Sequence, residues 1–107
     1  MDLNQYAIVL VNLDPTFGSE MKKTRPCVII SPNEMNRYLQ TIVIAPMTSS
    51  SKSYPTRVAV THNKTKGWVV LDQIRTVDRN RIIKIYTQLS EKEVSQVKLV
   101  LKETFVD

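Results

Sequence analysis

Residues 14–31, DPTFGSEMKKTRPCVIIS, place a carboxylate, Glu20, and three cations, Lys22, Lys23 and Arg25, directly before an apolar run. That combination suits a phosphate-bearing substrate. Asp14-Pro15 and Phe17-Gly18 are turn and breaker signals. Pro26 disfavours helical geometry at Arg25 and pushes it extended, while residues 27–30 (CVII) read as a buried strand. Arg25 therefore stands where a loop becomes a strand, and its guanidinium can make forked hydrogen bonds to phosphate without ever losing its charge. A solvated cation at a strand end is the plain alternative, and the rest of the chain has to decide between them.

Several chemistries are poorly supported. Two glycines in the whole chain cannot build a G-x-x-x-x-G-K-[ST] phosphate loop. His62 is the only histidine and sits in the polar stretch THNK, which reads as a solvated turn; a two-histidine ribonuclease mechanism is impossible within one chain. No nucleophile-elbow sequence supports a serine triad. The acids are too dispersed in sequence to suggest a divalent-metal nuclease, and no metal or other cofactor is expected. What remains is a site of Arg25, a hydroxyl and a carboxylate. Such a set can cleave RNA when the substrate's own 2'-hydroxyl attacks the adjacent phosphorus: the protein holds the link in line, stabilises the phosphate charge and helps move protons. Thr48 can hydrogen-bond the phosphate or the attacking oxygen, and Glu20 and Asp72 are the plausible bases.

Short β-branched runs must position these groups. Residues 6–13 (YAIVLVNL), 27–30 (CVII), 41–45 (TIVIA), 57–61 (RVAVT), 68–71 (WVVL) and 82–86 (IIKIY) read as six strands. With no long crossovers between them, they predict a mostly antiparallel small barrel or sandwich. Ser31 and Glu34 form an S-x-x-E pattern with Pro32 at the first helical position, predicting a short helix over 32–37. Ser90 and Glu93 repeat the capping-box pattern, and Val94, Val97, Leu101 and Phe105 recur at helical spacing. An amphipathic C-terminal helix packed on the barrel follows. Residues 48–53 (TSSSKS) read as a surface loop, although its hydroxyls, Lys52 and Tyr54 would also suit a phosphodiester chain.

Length and charge agree with this outline. A chain of 107 residues, 42% hydrophobic, suits one domain over 1–107. No apolar run is long enough to span a bilayer and no signal-like segment opens the chain, so a soluble cytoplasmic protein is expected. The single Cys27 forms no internal disulfide and reads as a buried thiol. Residues 90–107 hold three cations against four anions, so the net charge of +5 comes from upstream. Residues 52–84 carry most of it, with eight cations against Asp72 and Asp78. A basic body suits a polyanion such as nucleic acid.

Three ordered blocks resemble the MazF/PemK-type toxins, the endoribonuclease half of bacterial type II toxin-antitoxin pairs. Residues 13–31 carry L-D-P-x-x-G-x-E, then R-P, then V-I-x-S; residues 45–55 carry Pro46, Thr48 and K-S-Y-P; residues 71–77 (LDQIRTV) match D-Q-x-[RK]-[ST]-[IV]. The resemblance implies a mostly β, SH3-like antiparallel barrel with a short internal helix and a C-terminal helix, and a cytoplasmic homodimer. It implies a growth-inhibiting, sequence-specific and metal-independent endoribonuclease, a hydrolase of single-stranded RNA that leaves a 2',3'-cyclic phosphate and a 5'-hydroxyl. It further implies a cognate MazE-like antitoxin with an acidic C-terminal segment, and DNA binding by the toxin-antitoxin complex. Arg25 and Thr48 fall on the family's principal catalytic positions, and Glu20 and Asp72 on acidic positions implicated in some members. Phe17 falls where an aromatic ring can stack on a base, and Gln73 where it can contact RNA. Ser19, Lys22, Lys52, Tyr54 and Arg75 complete the expected RNA-binding set.

The chain departs from the family pattern in places. Many members have Gly then an acid where this chain has Tyr6-Ala7, and Gln-x-Gly where it has Met21-Lys22-Lys23. Some use an arginine where Val70 stands, which shifts the chemical burden to Arg25 and Thr48. Two competing functions are a non-enzymatic CcdB-like toxin that inhibits DNA gyrase by protein contact, and a catalytically silent RNA-binding module.

Overall fold

The computed structural model describes residues 2–13, 24–49 and 54–106. Among them run seven strands, β1 (Ala7–Asn12), β2 (Thr24–Ile29), β3 (Thr41–Thr48), β4 (Arg57–His62), β5 (Thr65–Val70), β6 (Arg75–Asp78) and β7 (Ile82–Gln88), and two α-helices, α1 (Asn33–Tyr38) and α2 (Glu91–Leu101). The strands form one curled antiparallel sheet in the order β4-β5-β3-β2-β1-β7, with β6 beside β3. This is the small β fold with a short internal helix and a C-terminal helix that the sequence implies. No helix among the described residues is long and apolar enough to cross a membrane.

The near-continuous apolar runs have a simple cause: the central strands are covered on both faces. In β1, Ala7, Val9 and Val11 enter one core while Ile8 enters the other. The first core also takes Cys27, Ile29, Ile42, Ile44, Val77 and Ile82. The second gathers Val28, Ala45, Met47, Val58, Val60, Val69 and Leu71 beneath α2, which contributes the fully buried Val97. β3 serves both. Its first half pairs with β6, from Thr41↔Asp78 to Ile44↔Arg75, and its last two residues pair with β5.

β6 is the strand missed by the sequence reading, because RTVD is short and offers one inward apolar residue, Val77. Other strands run longer than expected. β2 begins at Thr24, so Arg25 lies inside the ladder, and β3 continues through the buried Pro46 to Thr48. β4 and β5 are joined by a two-residue turn in which Asn63 and Lys64 both have positive φ, 52° and 61°. Turns of that kind match the natural twist of a hairpin.

The C-terminal capping box forms as expected. The Glu93 N–H donates to Ser90 Oγ (3.1 Å) and the Ser90 N–H to Glu93 Oε1 (2.9 Å). Glu93 Oε2 meanwhile accepts the Thr61 N–H at 2.9 Å, which fastens α2 to β4. The S-x-x-E pattern at Ser31 does not cap α1. Pro32 occupies the cap position, and Ser31 Oγ instead donates to Oδ1 of the buried Asn36 (2.6 Å) and accepts the Val43 N–H (3.1 Å). Asn36 Nδ2 donates to the carbonyls of Leu3 (2.8 Å) and Ser31 (2.9 Å). Arg79 Nη1 then donates to the carbonyls of Asn36 and Leu39, satisfying acceptors that the end of a helix leaves open.

Candidate active site

Strands β2 and β3 carry Arg25 and Thr48, the two residues expected to act on the phosphate. β2 pairs with β3 through Cys27↔Pro46, Val28↔Ala45 and Ile29↔Ile44; the paired stretch ends there, and its register extended by two residues would set Arg25 level with Thr48. On the far side of Thr48 stands Trp68, and beyond it Ala59; on the far side of Arg25 stands Val11. The transverse row Ala59, Trp68, Thr48, Arg25, Val11 therefore crosses five strands. Directly opposed residues share a face of the sheet, so Arg25, Thr48 and Trp68 present their side chains together. Strand spacing of ~4.8 Å makes Thr48 the immediate neighbour of both.

Further residues of that face add charge. Arg75, opposite Ile44 on β6, lies on the face that Ile44, Pro46 and Thr48 share. Cys27 registers both arginines. Burial pushes its thiol up to about 12, and the positive charges of Arg25 and Arg75 act in the opposite, lowering direction. At the outer strands, the Lys66 ammonium sits 5.6 Å from the centre of the Trp68 ring and the Arg57 guanidinium 4.9 Å from that of Tyr54. Cations interleaved with aromatic rings suit a single-stranded polyanion.

Asp72 and Gln73 lie in the 3-10 turn Leu71–Gln73 that ends β5. Asp72 Oδ1 accepts the Thr56 hydroxyl at 2.8 Å and lies 3.6 Å from Arg57 Nε. The Thr56 hydrogen bond first, and then the Arg57 charge, hold this carboxyl below its ordinary range. Such a group binds a proton weakly, so its geometry favours holding Arg57 and the start of β4. Phe17, Ser19, Glu20, Lys22 and Lys52, also singled out in the sequence, lie outside the described residues.

At the same strand ends a cavity of about 360 Å³ is bordered by residues 24–26, residues 47–49, His62 and residues 65–67, and so takes in both Arg25 and Thr48. His62 is not the solvated turn residue that its neighbours in sequence suggest. Its half-buried ring packs 4.8 Å from that of Tyr86, and its Nδ1 has no hydrogen-bond partner among the described residues. Gly67 allows β5 to approach here, since a Cβ at this position would stand 3.3 Å from the Thr48 carbonyl oxygen. Among the described residues no three His, Cys, Asp or Glu side chains gather as a metal-binding group.

Sequence reading missed Trp68 and Arg57 as members of this surface. The signal for both was present but weak: a lone tryptophan two residues after a lysine in a strand, and an arginine at the start of another.

Comparison with known proteins places this geometry. The family model described as PemK-like, MazF-like toxin of type II toxin-antitoxin system matches residues 4–105. The chain is 35% identical over 96 residues to the endoribonuclease MazF of Staphylococcus saprophyticus, covering 84% of this chain and 80% of that protein. Among solved structures, MazF from Deinococcus radiodurans superposes with a TM-score of 0.77 at 25% identity, covering 94% of this chain and 93% of the other. An endoribonuclease in complex with its cognate antitoxin, from a mycobacterial species, superposes with a TM-score of 0.79 at 19% identity, over 94% and 91% of the two chains.

Proposed function

The chain belongs to the PemK-like, MazF-like toxins of type II toxin-antitoxin systems, and we propose that it cleaves single-stranded RNA at short sequences without a metal ion. The placing of Arg25 and Thr48 on the neighbouring strands β2 and β3, where both border one cavity, carries this reading. The 2'-hydroxyl of the nucleotide before the cut attacks the adjacent phosphorus, its proton passes to a base, and the P–O5' bond breaks as the leaving 5'-oxygen takes up a proton from an acid or from water. The products are a 2',3'-cyclic phosphate and a 5'-hydroxyl. Arg25 stabilises the charge that builds on the non-bridging oxygens, worth most where bound RNA excludes water. The Thr48 hydroxyl, one strand away, orients the phosphate or the attacking oxygen. Glu20 and Asp72 are the two candidate bases, and the Thr56 hydrogen bond holds the Asp72 carboxyl below its ordinary range. Arg75, Tyr54, Gln73, Lys22, Lys52, Ser19 and Phe17 serve the flanking nucleotides.

In this reading the toxin is a cytoplasmic homodimer, and it is restrained by a cognate antitoxin, a partner supported by the mycobacterial endoribonuclease solved with its own antitoxin. An acidic, flexible antitoxin segment suits the basic surface described above.

The test is cleavage of a random RNA pool in EDTA, with the new ends sequenced and their chemistry determined. Cyclic phosphate at the 3' side and hydroxyl at the 5' side are expected, together with complete resistance of a substrate carrying hydrogen in place of the 2'-hydroxyl at the cut. Equal cleavage of the deoxy substrate would overturn the mechanism, and loss of cutting in EDTA would overturn its metal independence.

A further inference from the structure

We propose that Trp68, with Lys66, is a stacking platform for a nucleobase next to the scissile phosphate, and so helps set which RNA sequences this chain cuts. The inference rests on the RNA-cleaving reading and extends it to a residue on the strand beside Thr48. Three observations carry it. The register Thr48↔Trp68 places the indole on the same face as the catalytic pair, one strand from Thr48 and two from Arg25. Met47 and Val69, the pair just before it, are both in the second core, so the Thr48 and Trp68 side chains emerge on the opposite face. And Trp68 is half-buried, its ring carrying the Lys66 ammonium at 5.6 Å.

A tryptophan in a strand ordinarily completes a core, yet among the described residues Trp68 joins neither hydrophobic cluster. Its cross-strand neighbours are Thr48 and the exposed Ala59, both small residues. Rigid aromatic surface beside a phosphate site is what base stacking needs, and every base offers a π-face. The ammonium held over the ring marks a place where positive charge is already favoured. When a base takes the ring, Lys66 moves to the adjoining phosphate.

Trp68 is the only tryptophan in the chain, so indole emission reports on this position alone. The probe is a short 2'-O-methyl RNA pool of random sequence carrying a fluorophore, which can bind but lacks the attacking hydroxyl. Anisotropy measures binding, and unlabelled pool titrated against indole emission measures stacking. Quenching that saturates together with anisotropy is expected. Binding without any change in emission would overturn the stacking role while leaving the RNA reading intact; no binding at all would overturn both.

Two variants extend the test. Trp68→Phe retains a ring and should bind within a few-fold of the wild type and cut the same set of sequences. Trp68→Leu retains apolar bulk without the platform and should lose about 10-fold in affinity, with its melting temperature close to that of Trp68→Phe. Wild-type affinity and an unaltered cut-site profile in Trp68→Leu would also overturn the proposal.

Discussion

Replacing Arg25 by alanine separates chemistry from folding. The residue is exposed, and its guanidinium makes no hydrogen bond within the described residues; its carbonyl accepts the Cys27 thiol at 3.5 Å, a contact that any residue supplies. The cost to stability is therefore that of an ordinary surface change, within about 0.5 kcal/mol, or a melting shift of no more than about 4 °C. The cost to catalysis is much larger. Removing one preorganised donor to a developing oxyanion costs ~100- to 1,000-fold. Exposure of Arg25 places the expected loss near ~100-fold, about 2.7 kcal/mol. Arg25→Lys keeps the charge but not the fork and should fall between alanine and the wild type. Thr48→Val removes the hydroxyl opposite. Because both groups act on one phosphate, the double variant should lose less than the product of the single losses. Single-turnover cleavage of one fluorescent RNA, read beside thermal melts, measures all of this. Arg25→Ala cutting within about three-fold of the wild type, with RNA bound normally, would refute the assignment of charge stabilisation to Arg25.

Two further outcomes concern the scaffold. The Cys27 thiol is protonated in the fold up to about 12, against 9.0 as its ordinary value, because burial outweighs the two neighbouring arginines; the unfolded chain thus gives up its proton first. This contribution to stability is whole below pH 9.0 and is lost as the pH rises toward 12, with a slope of about 1.4 kcal/mol per unit. Urea titrations at a series of alkaline pH values should show a steeper loss for the wild type than for Cys27→Ala, and parallel slopes would contradict the account. Asn36→Leu fills the same space but strands the carbonyls of Leu3 and Ser31 and the hydroxyl proton of Ser31 that Asn36 Oδ1 accepts. It should cost about 3 kcal/mol with kcat unaltered well below the melting point, and a change under 0.5 kcal/mol in chemical denaturation would sink the network argument.

Much of this molecule was legible in its sequence, where the signal was local and repeated. The apolar spacing of Val94, Val97 and Leu101 behind Ser90 and Glu93 specified α2 because cap and stripe point to one helix, and both capping bonds form. At Ser31 the same spacing misled. Its hydroxyl has a better use than a cap, since Asn36 and the Val43 N–H reach it from other parts of the fold, and no local pattern announces those partners. His62 failed for a related reason: THNK reads as a polar turn, but alternation along β4 turns this one residue toward the face that meets Tyr86. Arg25 and Thr48 were recognisable singly by residue type and family pattern. Their opposition depends on a register fixed twenty-odd residues apart, which the buried pairs Cys27↔Pro46 and Ile29↔Ile44 set.

That register explains why a small barrel can hold a demanding geometry. Between Ile29↔Ile44 and the Arg25–Thr48 position, every pair on this face is buried, so a slip of one residue would turn the first core's side chains outward. The energy that fixes Arg25 across from Thr48 is thus the burial energy of the core itself, not of contacts within the site. The site can be almost wholly polar and exposed and still be rigid along one axis. The long connections from Asn12 to Thr24 and from Thr48 to Arg57 both attach at this same end of the sheet. Substitutions in them, such as the Met21-Lys22-Lys23 departure, can therefore retune what is bound without moving the pair proposed to act on the phosphate.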